Sequence, residues 1–205
     1  MGLSELPPVG EALTYKNMLF MARESARAVH ADYNTAILSH LLQLFKKGMG
    51  TNEHGEQFII KIGNTDNDAR ERAALANNWG NIFLLLCIFH VWQAWQNGLN
   101  RYLSGVPKGK PRKSVRQQLG KLLMKLLRDV LVYEDAITLY KMEIEYWTSI
   151  GRKQDQISQS QAKGALAFLW YLDSYIGSHA FWHSWSPAGA ITASQLLGVP
   201  VSQIA

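Results

Sequence analysis

Apolar residues in the first part of the chain recur at the three- and four-residue spacing of a helix over residues 32–47, where Ala36, Ile37, Leu41, Leu44 and Phe45 share a stripe with His40. Lys46 and Lys47 suit its last turn. The loop "GMGTNEHGE" over 48–56 then breaks it. Residues 58–62, "FIIKI", read as a strand, residues 68–78 as a helix and residues 82–89 as a second strand. A helix joining two strands over short connections predicts that the strands run parallel. Beyond His90 the period is helical almost throughout, over 91–103, 114–128, 134–150 and 159–175, with "GVPKGKP" at 105–111 as a linker. The first sixteen residues read as a leader, and "NMLFMA" at 17–22 is too short to assign by period. Neither an internal repeat nor a low-complexity tract is visible.

Composition narrows the class. A chain of 205 residues with 47% apolar and 18% charged residues can bury a real core. Its single cysteine, Cys87, excludes an intramolecular disulfide and fits a reducing, intracellular compartment. The start "MGLSELPPVG" has neither the basic nor the apolar region of a signal peptide, so no targeting signal is expected. The most apolar windows, 82–89 and 165–172, fall well short of the roughly twenty residues that cross a bilayer, so no membrane partner is expected.

The net charge of +5 is concentrated in one place. Residues 101–128 carry nine basic residues and no acidic one, which leaves the rest of the chain at −4. Such a patch suits a polyanion such as nucleic acid, with Lys108, Lys110, Arg112, Lys113 and Arg116 the candidate contacts. A solvated helix face is the plain alternative.

Two aspartates stand where the first strand hands over to a helix, in "NTDNDARER". A carboxylate at a strand tip is held rigidly enough to bind a hard divalent cation, and Asp66 is the candidate. Asp68 is a good N-cap, and Asp66 could equally support the turn. Asp66 and His90 each follow the carboxyl end of a strand, which predicts that they face one crevice. "CIFH" gives Cys87 and His90 zinc-ligand spacing, and "HAFWH" supplies His179 and His183 as a further pair. Half a site at each place leaves open a Cys87 buried in an apolar strand with His90 packed at its end. No P-loop, GxGxxG or GxSxG is present, a small-molecule substrate is not expected, and the apolar setting of Cys87 argues against a reactive thiolate.

Taken together, "TDNDARERAALANNWGNIFLLLCIFHVWQAW" (65–95) closely resembles the Mutator-like (MULE) transposases abundant in fungal genomes. The likeness extends through "RESARAVHADYNTAILSHLLQLFKKGMGT" before it and as far as "WSPAGAITASQLLGVPVSQI" after it. It implies an α/β plus mostly helical fold: a partial ribonuclease H-like core, built on strand-helix-strand, followed by a helical insertion. The implied divisions are a leader at 1–16, the partial core at 17–104, the insertion with its basic patch at 105–188, and the start of a C-terminal catalytic segment at 189–205.

The same resemblance implies D-D-E chemistry on DNA, with magnesium or manganese as cofactor and a nuclear location. Asp66 matches the second aspartate of the triad, and Cys87 and His90 match the family's C-x2-H signature. The family's first aspartate and its later acidic segment have no counterpart here. The expectation is therefore a fragment that does not cleave DNA by itself, because one carboxylate does not hold two metal ions. Its strand at 58–62 would present an unpaired edge, making the isolated chain aggregation-prone. A non-enzymatic DNA-binding or protein-interaction module is the alternative, and a zinc-stabilised fold using Cys87, His90, His179 and His183 is a third.

Overall fold

The computed structural model describes residues 35–51 and 53–204, so the leader and the "NMLFMA" run lie outside the described residues. The protein is mostly helical with a small parallel sheet of two strands. The described residues divide into two compact units, one holding those up to Ile59 together with Ala69–Gly80, the other holding Ile60–Asp68 and those from Asn81 onward.

In the first unit, α1 (Thr35–Met49) packs with α2 (Ala69–Asn78). Asn78 joins them, because its side-chain amide donates to the Ser39 carbonyl oxygen and hydroxyl at 3.1 and 3.0 Å and to the Ala74 carbonyl at 2.9 Å. The Lys46 ammonium donates to the Asn78 carbonyl at 2.9 Å and lies 5.7 Å from the ring centroid of Trp79. Together these bonds satisfy a buried amide and the last carbonyl of α2.

The second unit opens with the sheet. Strand β1 (Ile62–Thr65) pairs in parallel with β2 (Phe83–Leu86), in the register Ile62 to Phe83 and Thr65 to Leu86. Both strands differ from the sequence expectation. The run at 58–62 is split: Phe58 packs edge-on against Phe45, 5.9 Å away, and its carbonyl accepts from the Trp79 indole, so it belongs to the first unit. Pairing starts only at Ile62, and the edge expected at 58–62 is not a strand.

The second strand ends three residues early, because α3 (Ile88–Tyr102) already begins at Ile88. Val91, Trp95 and Leu99 are buried at four-residue spacing, and that helical stripe takes the end of the apolar run away from the sheet.

After a 3₁₀ turn (Leu103–Gly105) come α4 (Lys110–Arg128), α5 (Tyr133–Gly151) and α6 (Gln156–Ile176). Helix α4 starts four residues before expectation, inside the supposed linker, since Pro111 in its first turn has the backbone angle a helix start needs and no N–H to waste. Helix α6 is central and touches α3, the 3₁₀ turn, α4, α5 and the short α7 (His179–His183). Gly164 permits the close approach, since a Cβ there would lie 2.8 Å from Val106 and 3.2 Å from the Tyr102 carbonyl oxygen. One apolar cluster runs from Leu86 through α3 to Trp185, so α3 shares its core with α4, α5 and α6 across the 104/105 division.

Helices α7 and α8 (Pro187–Leu197) fall where no helix was expected. Ser178 and Ser186 cap them through their hydroxyls, and Gly198, at φ 67°, closes α8 in the left-handed conformation. The Ser184 carbonyl accepts from the Leu86 amide at 2.7 Å, tying the α7–α8 joint to β2.

Candidate functional site

The parallel register brings two chain reversals to one sheet edge. Asp66 is the first residue beyond β1 and Cys87 the first beyond β2, and the Cys87 amide donates to the Thr65 carbonyl at 2.7 Å. Because β1 ends three residues later than expected, Asp66 stands at a true strand tip, closer to the sheet than the sequence reading had it. The Thr65 hydroxyl donates to the Leu85 carbonyl at 3.2 Å and fixes the last rung from the side-chain side.

Asp66 Oδ1 accepts from the Asp68 amide at 3.1 Å, the local bond of an aspartate that shapes a turn. The turn-forming role weighed for Asp66 is thus present in the geometry, and α2 begins directly after Asp68.

Cys87 is half-buried at the N-cap of α3, not inside an apolar strand, because the strand has ended. It makes no side-chain cap bond. His90 stands in the first turn of α3, one turn beyond Cys87, with its ring edge-on to that of the exposed Phe89. Its Nδ1 is buried without a hydrogen-bond partner among the described residues. Asp66 and the Cys87–His90 turn share the carboxyl edge of the sheet.

Among the described residues no three His, Cys, Asp or Glu side chains gather as a metal-binding group. In this structure Cys87 and His90 do not gather with His179 and His183. Those two histidines serve an aromatic cluster: their rings stack at 5.9 Å, His179 meets Tyr133 and Trp182, and His183 meets Phe83. The His183 Nε2 is 3.2 Å from the Thr192 hydroxyl, and burial, with His179 beside it, lowers the pKa of the imidazole.

The basic patch divides into two kinds of residue. Arg112 is a structural clamp: its guanidinium donates to the Ser104 carbonyl at 2.8 Å and to the Val106 carbonyl at 2.9 Å through Nε, closing the turn that leads into α4. Arg116 bonds to the Asn100 side-chain oxygen on α3. Lys108, Lys110 and Lys113 are exposed. Lys121, Lys125 and Arg128, outside the candidate contact set, are exposed farther along α4. Their spacing of four and three residues was the available signal.

No helix among the described residues is long and apolar enough to cross a membrane. Comparison of the chain with family models, curated proteins and solved structures finds no match.

Proposed function

We propose that this chain is part of the catalytic domain of a Mutator-like transposase, a ribonuclease H-like core carrying a helical insertion, which acts on DNA in the nucleus. The observation that supports this reading is the sheet edge where Asp66 follows β1 and the Cys87–His90 turn follows the parallel neighbour β2. Open parallel sheets carry their chemistry at that edge.

Magnesium or manganese is the cofactor this reading implies. The described donor set does not fit a metal pair: Asp66 is the matched carboxylate, one of its oxygens accepts from Asp68, and no cluster of three ligating side chains surrounds it. Two hard cations about 4 Å apart need several shared carboxylates. Strand cleavage is accordingly ascribed to the intact family and not to this set of residues.

A titration with manganese followed by nuclear magnetic resonance tests the assignment. Paramagnetic broadening should centre on the amides of Thr65, Asp66 and Asn67 in the wild type and disappear in Asp66→Asn, with weak affinity in keeping with a partial site. Equal broadening in both proteins would sink the metal role. A second reading, a non-enzymatic DNA-binding module derived from such a transposase, draws on the acid-free helix α4. It leaves Asp66 as a turn residue only and expects no localised broadening.

A further inference from the structure

We infer that the solvent face of α4 is a rigid track for the phosphate backbone of double-stranded DNA, formed by Lys110, Lys113, Lys121, Lys125 and Arg128. All five are exposed, and no hydrogen bond or ion pair among the described residues engages their side chains. At 3.6 residues per turn they fall within roughly 120° of one another around the helix. The opposite face is the core side, where Val115, Leu119, Leu122, Leu123 and Leu126 are buried. That burial locks the rotation of the helix and holds the cations outward before any partner arrives.

The helix contains no acidic residue, and its first turn carries Lys110, Arg112 and Lys113. Cations at a helix N-terminus oppose the macrodipole. Arg112 is accounted for by its bonds to the Ser104 and Val106 carbonyls. Lys110 and Lys113 have no such role, so their placement costs stability that an anionic partner recovers.

The chemistry of the face selects the partner. An anionic membrane is a poor fit, since an interfacial helix inserts its apolar side and here that side is core. Single-stranded nucleic acid is a poor fit too, since α4 has no aromatic side chain on which an unpaired base could stack. A straight row of cations about 27 Å long, at 1.5 Å per residue, instead matches a stiff duplex. Duplex DNA carries a charge every ~1.7 Å of axis, so five cations find phosphates in any register, and the contact carries no sequence information.

The inference rests on the transposase reading only in choosing DNA over RNA, and the test separates the two. Fluorescence anisotropy of the whole chain is measured on labelled 20-base-pair DNA duplexes of two unrelated sequences, on the matching single strand and on an RNA duplex, across salt concentrations. Both DNA duplexes should bind equally, with log K falling against log salt at a slope of about −4 to −5, the value for about five phosphates. Lys121→Glu with Lys125→Glu and Arg128→Glu should weaken binding at least tenfold and flatten the slope by about 2 to 3. The same three residues changed to Gln keep the helix free of new charge and should flatten it similarly.

Unchanged affinity and slope in the Gln variant, tighter binding to the single strand, or binding to anionic vesicles in place of DNA would each overturn the track. Tighter binding to the RNA duplex would overturn the choice of DNA and leave the manganese test of Asp66 untouched.

Discussion

The Cys87 amide donates to the Thr65 carbonyl oxygen at 2.7 Å, one residue past the last rung of the sheet. This bond holds the two chain reversals side by side, so the turn at Asp66 is anchored on its sheet side and depends on its own aspartate at the other. Asp66→Ala removes the acceptor for the Asp68 amide and should cost about 1 kcal/mol, within the range of lost side-chain caps. Asp66→Asn keeps a carbonyl acceptor and should stay within about half of that. Thermal unfolding of the three proteins decides, and equal losses in both variants would show that charge, not the acceptor, matters.

Glycines in the second unit should respond to alanine in opposite directions. A Cβ on Gly189 would collide with the His183 carbonyl oxygen, a backbone atom that cannot swing away. Gly189→Ala should lose more than ~4 kcal/mol, in the tail reserved for broken packing. A Cβ on Gly120 in the middle of α4 meets nothing within 4 Å. Gly120→Ala should stabilise by about 0.5–1 kcal/mol through the lower entropy of the unfolded chain. Urea midpoints read both changes.

Trp95 and Trp185 are each fully buried and meet edge to face, 5.1 Å between ring centroids. The Trp185 indole donates to the Tyr175 carbonyl at 2.9 Å, and that of Trp95 has no acceptor among the described residues. Replacement by Phe removes similar volume at both places. Trp185→Phe should therefore cost about 1–2 kcal/mol more than Trp95→Phe, the difference being a broken buried hydrogen bond. Similar denaturation midpoints for the two variants would refute this.

Acid should loosen the α7–α8 joint through His183. Burial holds its folded pKa below the ordinary value of 6.5, so the unfolded chain takes up the proton first. The contribution of neutral His183 is complete above pH ~6.5 and is lost as pH falls from there through the folded pKa. Unfolding temperatures measured between pH 8 and 5 should fall in the wild type and fall less in His183→Gln.

Alkali acts at a second place. Burial, and then Asp173, push the Tyr140 hydroxyl up to about 12. Its stabilising contribution is present below pH ~10 and lost as pH rises through that folded value. Tyr140→Phe should remove this part of the alkaline loss and, by deleting the bond to the Leu169 carbonyl, cost about 1 kcal/mol at neutral pH.

Long-period features were legible in the sequence. The core stripes of α3 to α6 recur over four or more turns, and their expected bounds lie within four residues of the observed ones. The parallel pairing followed from the helix between two apolar runs. Short features were harder: "FIIKI" and "IFLLLCIF" contain more apolar residues than their strands use, because Phe58 is claimed by Phe45 and Ile88 already belongs to a helix.

Helix α8 is too rich in small residues to show a period. Its signals were local: Ser186 as cap, Pro187 in the first turn and Gly198 after the last. At the candidate site, the strand-tip position of Asp66 was readable. The engagement of Arg112 and Arg116 was not, since nothing in a run of basic residues tells which of them a loop carbonyl will occupy.

Residues 152–155 alone join α5 to α6, with Asp155 capping α6 at 2.7 Å and Gly151 set against Ala162 across the turn. Such a hairpin can zip outward from its turn at little loop-closure entropy, whereas each rung of the sheet must close a loop of about twenty residues first. Loop length thus predicts that the helical hairpin forms before the sheet edge bearing Asp66, an order that φ-values in α5, α6 and β1 would read directly. On that expectation the two strands, which meet across about twenty residues of intervening chain, close around helices that already have their partners.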